Sequence, residues 1–111
     1  MITIDSLREY GANVDEGLAR CLNKEDFYIK MVNMGLADER FDKLADILAA
    51  KDLDAAFEAC HALKGVIGNL ALTPLCEPID KMTELLRART DTDYSELCAE
   101  IRAQRDKILS M

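Results

Sequence analysis

The sequence predicts an all-α protein: an antiparallel up-down four-helix bundle with one or two short N-terminal helices. Two observations carry this. Apolar residues recur at three- and four-residue spacing almost throughout, the period of a helix with one buried face. Only 5 glycines and 2 prolines punctuate 111 residues, too few for a many-stranded sandwich or barrel. At 50% hydrophobic content, a chain of this length buries one core. No repeat, linker or low-complexity run divides it. Residues 1–111 therefore read as a single domain, with a short helical cap over about 1–22 and the bundle over about 23–110.

In chain order, Asn13 followed by Glu16 has the form of a helix cap, and Val14, Leu18, Cys21 and Leu22 then share one side of a short helix. Asn23 with Asp26 opens a longer segment, where Phe27, Met31, Met34, Phe41, Leu44 and Leu48 trace an apolar stripe. This predicts one long helix over 24–50, with Gly35 as the place for a bend, and core-filling roles for Met31, Met34 and Met82. Asp52 is the next cap, followed by the stripe Leu53, Ala56, Phe57, Cys60, Leu63, Ile67 and Leu70 over 53–71. Thr73-Pro74 reads as a hydroxyl cap with proline at the first helical position. Leu75, Ile79, Met82 and Leu86 face the core after it, while Pro78 removes a backbone bond and bends the helix or shifts its start. Asp93 with Glu96 caps a last helix whose stripe is Tyr94, Leu97, Cys98, Ile101 and Ile108. Connections of two to three residues favour antiparallel neighbours.

Charge narrows the function. Against 14 Lys and Arg stand 21 Asp and Glu, a net charge of −7, which disfavours a nucleic-acid partner because basic clusters supply most of that affinity. No stretch is long and apolar enough for a membrane span, and Met1-Ile2-Thr3-Ile4-Asp5 lacks the regions of a signal peptide, so a cytoplasmic location is expected. Cys21, Cys60, Cys76 and Cys98 form no CxxC pair and read as small apolar packing residues. With one histidine, His61, the chain cannot supply the paired Glu-x-x-His motifs of a di-iron bundle or a CxxCH haem site. No metal site is expected.

His61 stands about 100° around its helix from the core residue Cys60, beside the stripe and partly exposed. The same flank carries Lys64, Gly65 and Gly68. A helix-interior glycine costs about 1 kcal/mol relative to alanine, so the pair needs a reason: close packing inside the bundle, or clearance for a partner. From 59 to 76 there is no carboxylate, where an even spread would place about three, and Lys64 is the one formal charge. An imidazole next to an ammonium tolerates added negative charge, and a phosphoryl group fits that description.

The run Ala59-Cys60-His61-Ala62-Leu63-Lys64-Gly65-Val66-Ile67-Gly68-Asn69-Leu70-Ala71-Leu72 resembles the signature of histidine-containing phosphotransfer (HPt) domains, HxLKGxxxNLGL. The likeness extends more weakly from Val14 to the C-terminus, through Gly17-Leu18-Ala19-Arg20 and Thr73-Pro74-Leu75. Ala71 stands where the family has glycine, and Ile67 where it has a smaller residue, which bears on local packing and the rim of the docking surface. The resemblance implies that His61 is phosphorylated, taking a phosphoryl group from the aspartate of a response-regulator receiver domain and passing it to another. Lys64 would offset the charge, and Gly65 and Gly68 would leave room for the receiver. A hybrid histidine kinase would lie upstream and the chain would act as a monomer. No cofactor would bind this chain, Mg²⁺ residing on the receiver. The domain would be a phosphotransfer intermediate without its own ATP site, and indeed no Walker loop or glycine-rich phosphate cradle occurs.

Other classes compete. A histidine-kinase dimerisation helix generally has an acidic residue after its histidine, where Ala62 stands here. A non-catalytic helical adaptor would bind a receiver or another protein without transfer. A metal site would need at least three convergent ligands around His61.

Overall fold

The computed structural model describes residues 1–111. The chain is all-α: α1 (Ile4–Tyr10), α2 (Val14–Arg20), α3 (Glu25–Leu36), α4 (Arg40–Ala49), α5 (Leu53–Asn69), α6 (Thr73–Arg87) and α7 (Ser95–Leu109). The molecule measures 41 × 24 × 20 Å. α5 packs most extensively against α6, and further contacts join α4 to α5, α6 to α7 and α4 to α7, closing a ring. α3 lies across α5 and α7, and α2 packs on α3.

Local chemistry explains most boundaries. Thr3 and Ser6 cap α1 reciprocally, side chain to backbone at 3.0 and 2.9 Å, and Gly11 ends it in the left-handed region at φ 108°. Asn13 Oδ1 accepts from the Glu16 N–H at 3.3 Å and Asp52 Oδ1 from the Ala55 N–H at 3.0 Å, so both read caps form. Three others differ. Asn23 is left-handed at φ 57° and α3 starts from Lys24 with no side-chain cap. Thr73 is already inside α6: its hydroxyl donates to the Ala71 carbonyl at 3.4 Å, and Pro74 follows within the first turn. Tyr94, not Asp93, is the N-cap of α7 and no side chain caps that helix; Asp93 stands one residue earlier and accepts from Ser95, at 2.9 Å from the backbone and again from the hydroxyl, with no box to Glu96. Those two bonds favour the ionised form and lower the Asp93 pKa. Pro78 is buried within α6, whose start stays at Thr73.

The long helix expected over 24–50 is two. α3 ends at Leu36 and α4 starts at Arg40, because Asp38 turns its carboxylate onto the Arg40 backbone N–H and guanidinium, each at 2.9 Å. A local side-chain acceptor competing for backbone donors interrupts a helix in this way. The stripe on α3 is also rotated. Tyr28, Val32, Gly35 and Leu36 are buried, while Phe27 and Met34 are exposed at 42% and 57% and Met31 is half-buried. Tyr28 sets the rotation: its ring lies under Gly17 and its hydroxyl donates to the Leu70 carbonyl at 2.8 Å. Burial pushes its pKa up to about 12. Leu22 also leaves its expected face and is 73% exposed.

Elsewhere the centre of each stripe holds, while Leu48, Leu53, Phe57 and Leu97 are only half-buried, Phe57 because it packs beside His61. Cys60, Leu63 and Ile67 of α5, and Leu75, Ile79, Met82 and Leu86 of α6, are fully buried. Cys98, Ile101 and Ile108 of α7 join them, with Tyr94 buried just before the helix. Arg105 is buried too; it pairs with Asp42 at 3.1 Å and lies over the Phe41 ring, tying α7 to α4. Residues 50–52 and 70–72 are short connections as read, whereas 88–94 between α6 and α7 is longer.

Candidate functional site

Rotation of α5 decides what is presented to solvent. With Cys60, Leu63 and Ile67 directed into the core, the helical period turns His61 and Gly65 outward, both exposed, with Lys64 and Gly68 half-buried beside them. The four residues read as a group do share one flank. Together with Arg20 and Asn69 they line an open groove of about 400 Å³ that contains no carboxylate.

The imidazole of His61 stacks on Phe57, one turn earlier, with ring centroids 5.5 Å apart and planes inclined by 28°. Phe57 is itself flanked by the guanidiniums of Arg87 and Arg89, each 5.2 Å from its ring centre. Arg89 is held by Asp54 at 2.7 Å. Lys64 Nζ lies 3.7 Å from Glu84 Oε1, and the other oxygen of Glu84 lies 3.4 Å from Arg87 Nε. The carboxylate-free stretch of sequence is therefore not carboxylate-free in space, because α6, packed on α5, delivers Glu84 to the lysine.

Gly65 and Gly68 divide cleanly from close-packed glycines. A Cβ built at either meets nothing within 4 Å, so helix packing inside the chain does not explain them. At the C-terminal end of the groove, Arg20 Nη1 donates to the Gly68 carbonyl at 2.6 Å while its other amino group pairs with Glu16.

Arg20, Phe57 and Glu84 were not singled out as site residues from sequence. For Phe57 a signal existed, the i, i+4 spacing to His61, and for Arg20 the Glu16–Arg20 pair at the same spacing. For Glu84 none did, since the helix-to-helix register places it. A larger cavity of about 760 Å³, lined in part by Leu48, Leu53, Tyr94, Cys98 and Arg102, contains none of the residues around His61. Nowhere do three or more metal-ligating side chains converge. The cysteines are free; burial pushes the Cys60 thiol up to about 12 and Cys76 up to about 11, so both stay protonated near neutrality. No helix is long and apolar enough to cross a membrane.

The all-α chain thus presents one exposed histidine beside a lysine, on a flank where two glycines face open space. The Hpt domain family model matches residues 34–110, from the end of α3 through α7, and the chain belongs to that family. At the family level this means histidine phosphotransfer in phosphorelays and interaction with receiver domains. No curated protein and no solved structure matches the chain. α1, α2 and most of α3, with Gly17, Arg20 and Tyr28, lie outside the matched span.

Proposed function

We propose that the chain is a histidine phosphotransfer protein of a multistep two-component phosphorelay. His61 accepts a phosphoryl group from the aspartate of one response-regulator receiver domain and passes it to the aspartate of another. The observation that carries this reading is the exposed His61 imidazole in a groove lined by Lys64 and Arg20, in a chain of net charge −7, with the carboxylates of Glu84 and Glu16 paired to those two cations outside the lining.

Acceptance is a displacement at phosphorus. A lone pair on an imidazole nitrogen forms the P–N bond as the P–O bond to the aspartyl carboxylate breaks, and the carboxylate leaves with the bonding pair. Passing the group on reverses these roles. Such transfers proceed through a loose transition state where alignment and charge neutralisation dominate, so a single well-placed nucleophile suffices. Stacking on Phe57 restricts the imidazole, which favours alignment. The Lys64 ammonium, one helical turn away, offsets charge on the phosphorylated ring. Gly65 and Gly68 keep the approach open to the receiver.

The rest of the chemistry belongs to the partners. The receiver brings Mg²⁺ and its own lysine, and a hybrid histidine kinase upstream supplies the phosphoryl group from ATP. In this reading residues 1–111 form one monomeric cytoplasmic domain, in which α4 to α7 make an antiparallel up-down four-helix bundle and α1 to α3 cap it. Neither nucleic acid nor membrane is a partner.

Incubation with a phosphorylated receiver tests this. The chain should acquire acid-labile, base-stable phosphate, and His61→Gln should acquire none while keeping its helical circular dichroism and its receiver binding. Label retained in His61→Gln would place the acceptor elsewhere. Binding without any label on the unsubstituted chain would leave an adaptor.

A further inference from the structure

We infer that Glu84 is an internal competitor for the phosphohistidine's counter-charge: it holds Lys64 while His61 is free and weakens the hold on the phosphoryl group once His61 is loaded. The inference rests on the phosphotransfer reading and concerns how tightly that same site keeps its cargo.

Three observations support it. Both oxygens of Glu84 are engaged by cations, Lys64 at 3.7 Å and Arg87 at 3.4 Å, so the lysine expected to neutralise phosphohistidine is already paired. The pair joins α5 to α6, the two helices in most extensive contact, so the backbones keep Glu84 within reach of Lys64. All three side chains remain partly exposed, at 39% for Lys64, 52% for Arg87 and 59% for Glu84, so the pairing is screened and exchangeable.

Phosphorylation of His61 adds a charge of about −1.5 to −2 one turn from Lys64, against −1 on Glu84. Lys64 then divides its time between two anions. To the extent that Glu84 retains it, the phosphoryl group is less stabilised and more readily given up. Glu84 thus acts through Lys64 as a positioning residue and biases the domain towards relay over storage. Exposed ion pairs of this kind change equilibria modestly, about two- to fivefold.

The test uses the full chain and phosphoramidate as the small phosphoryl donor. The donor's P–N bond breaks as the imidazole P–N bond forms, and ammonia leaves. After the donor is removed, ³¹P nuclear magnetic resonance follows the lifetime of the phosphohistidine. In Glu84→Gln that lifetime should lengthen about two- to fivefold at low salt, and the gain should shrink towards none at about 1 M salt as screening removes the competition. In a Lys64→Ala background, where the lifetime is already shorter, adding Glu84→Gln should change little. An unchanged lifetime in Glu84→Gln, or an equal gain with and without Lys64, overturns the inference while leaving phosphotransfer intact. If the unsubstituted chain takes no phosphoryl group on His61 from phosphoramidate or from a phosphorylated receiver, the parent reading falls and this inference with it.

Discussion

Two pairs of helical glycines, Gly17 and Gly35 on α2 and α3 and Gly65 and Gly68 on α5, have opposite surroundings. Gly17 and Gly35 lie where helices meet: a Cβ on Gly17 would stand 2.5 Å from the Tyr28 ring, and one on Gly35 would stand 2.7 Å from Leu70 Cδ1. Gly65 and Gly68, on the outer flank of α5, face nothing within 4 Å. Each helix-interior glycine costs about 1 kcal/mol relative to alanine. At the first pair that cost is returned by close approach inside the chain. At the second pair no close approach within the chain returns it, which is what the proposed docking of a receiver would explain. The comparison separates glycines required by packing inside the chain from glycines that face open space.

The largest effect is expected at the closed pair. Gly17→Ala drives a methyl into a fully buried ring whose hydroxyl is tethered to the Leu70 carbonyl, so the ring cannot swing away. Overpacking should outweigh the gain in helix propensity and destabilise the chain by about 1–3 kcal/mol, read as a lower urea midpoint. Gly35→Ala should lose less, since its nearest neighbour is the flexible tip of Leu70. A neutral Gly17→Ala would break the comparison at its firmer end.

A missing glycine sharpens it. Ala71 closes α5 with φ at 57°, in the left-handed region where a Cβ is strained, and this is the position at which the HPt signature carries glycine. Its carbonyl also accepts from the Asn13 N–H at 2.9 Å, so α2 is fastened to the same turn. Ala71→Gly should relieve about 1–2 kcal/mol of strain and give up about 0.8 kcal/mol of buried methyl. The net gain, a few tenths to about 1 kcal/mol, should appear as a raised urea midpoint with an unchanged slope. A destabilised Ala71→Gly would mean that burial of the methyl governs this turn.

What could be read from sequence follows the same division. The rotations of α5 and α6 were legible because apolar residues recur at helical spacing on their inward faces, Cys60, Leu63 and Ile67 on α5 and Leu75, Ile79, Met82 and Leu86 on α6, and that turned His61, Lys64, Gly65 and Gly68 away from the core, although Phe57, read in the same stripe, stands beside His61. The rotation of α3 was not, because Tyr28 and Gly35 face the core there, one carrying a polar tip and the other no side chain, while the more conspicuous Phe27 and Met34 face solvent. The break before α4 hid in one side chain, Asp38, which accepts from the Arg40 backbone N–H where the apolar spacing alone would have continued the helix. Glu84 was invisible for another reason. Its distance to Lys64 depends on how α6 lies against α5, and no local pattern encodes that register. The histidine of the site was thus written locally, whereas the charge that answers its lysine was written in the packing.

The smallest change in stability, and the most informative, is expected at the open pair. A methyl at Gly68 or Gly65 enters free space, so each alanine should stabilise the fold by up to about 1 kcal/mol through helix propensity and a less flexible unfolded chain. The Gly68 carbonyl that holds Arg20 is untouched by either change. If the flank is a docking surface, the same methyl obstructs the receiver, and phosphoryl transfer should slow while the urea midpoint rises. Distance grades the effect, since Gly65 lies about one turn from His61 and Gly68 about two. Gly65→Ala should therefore slow transfer more than Gly68→Ala, although the two gain similar stability. Transfer from phosphoramidate, too small to touch the flank, should be unaffected in both, which separates obstruction of a docked partner from damage to the imidazole. Stabilised variants with unchanged transfer from the receiver would mean that nothing docks across these glycines. Destabilised variants would mean that the open space beside α5 is filled in solution by the chain itself, and the contrast with Gly17 and Gly35 would disappear.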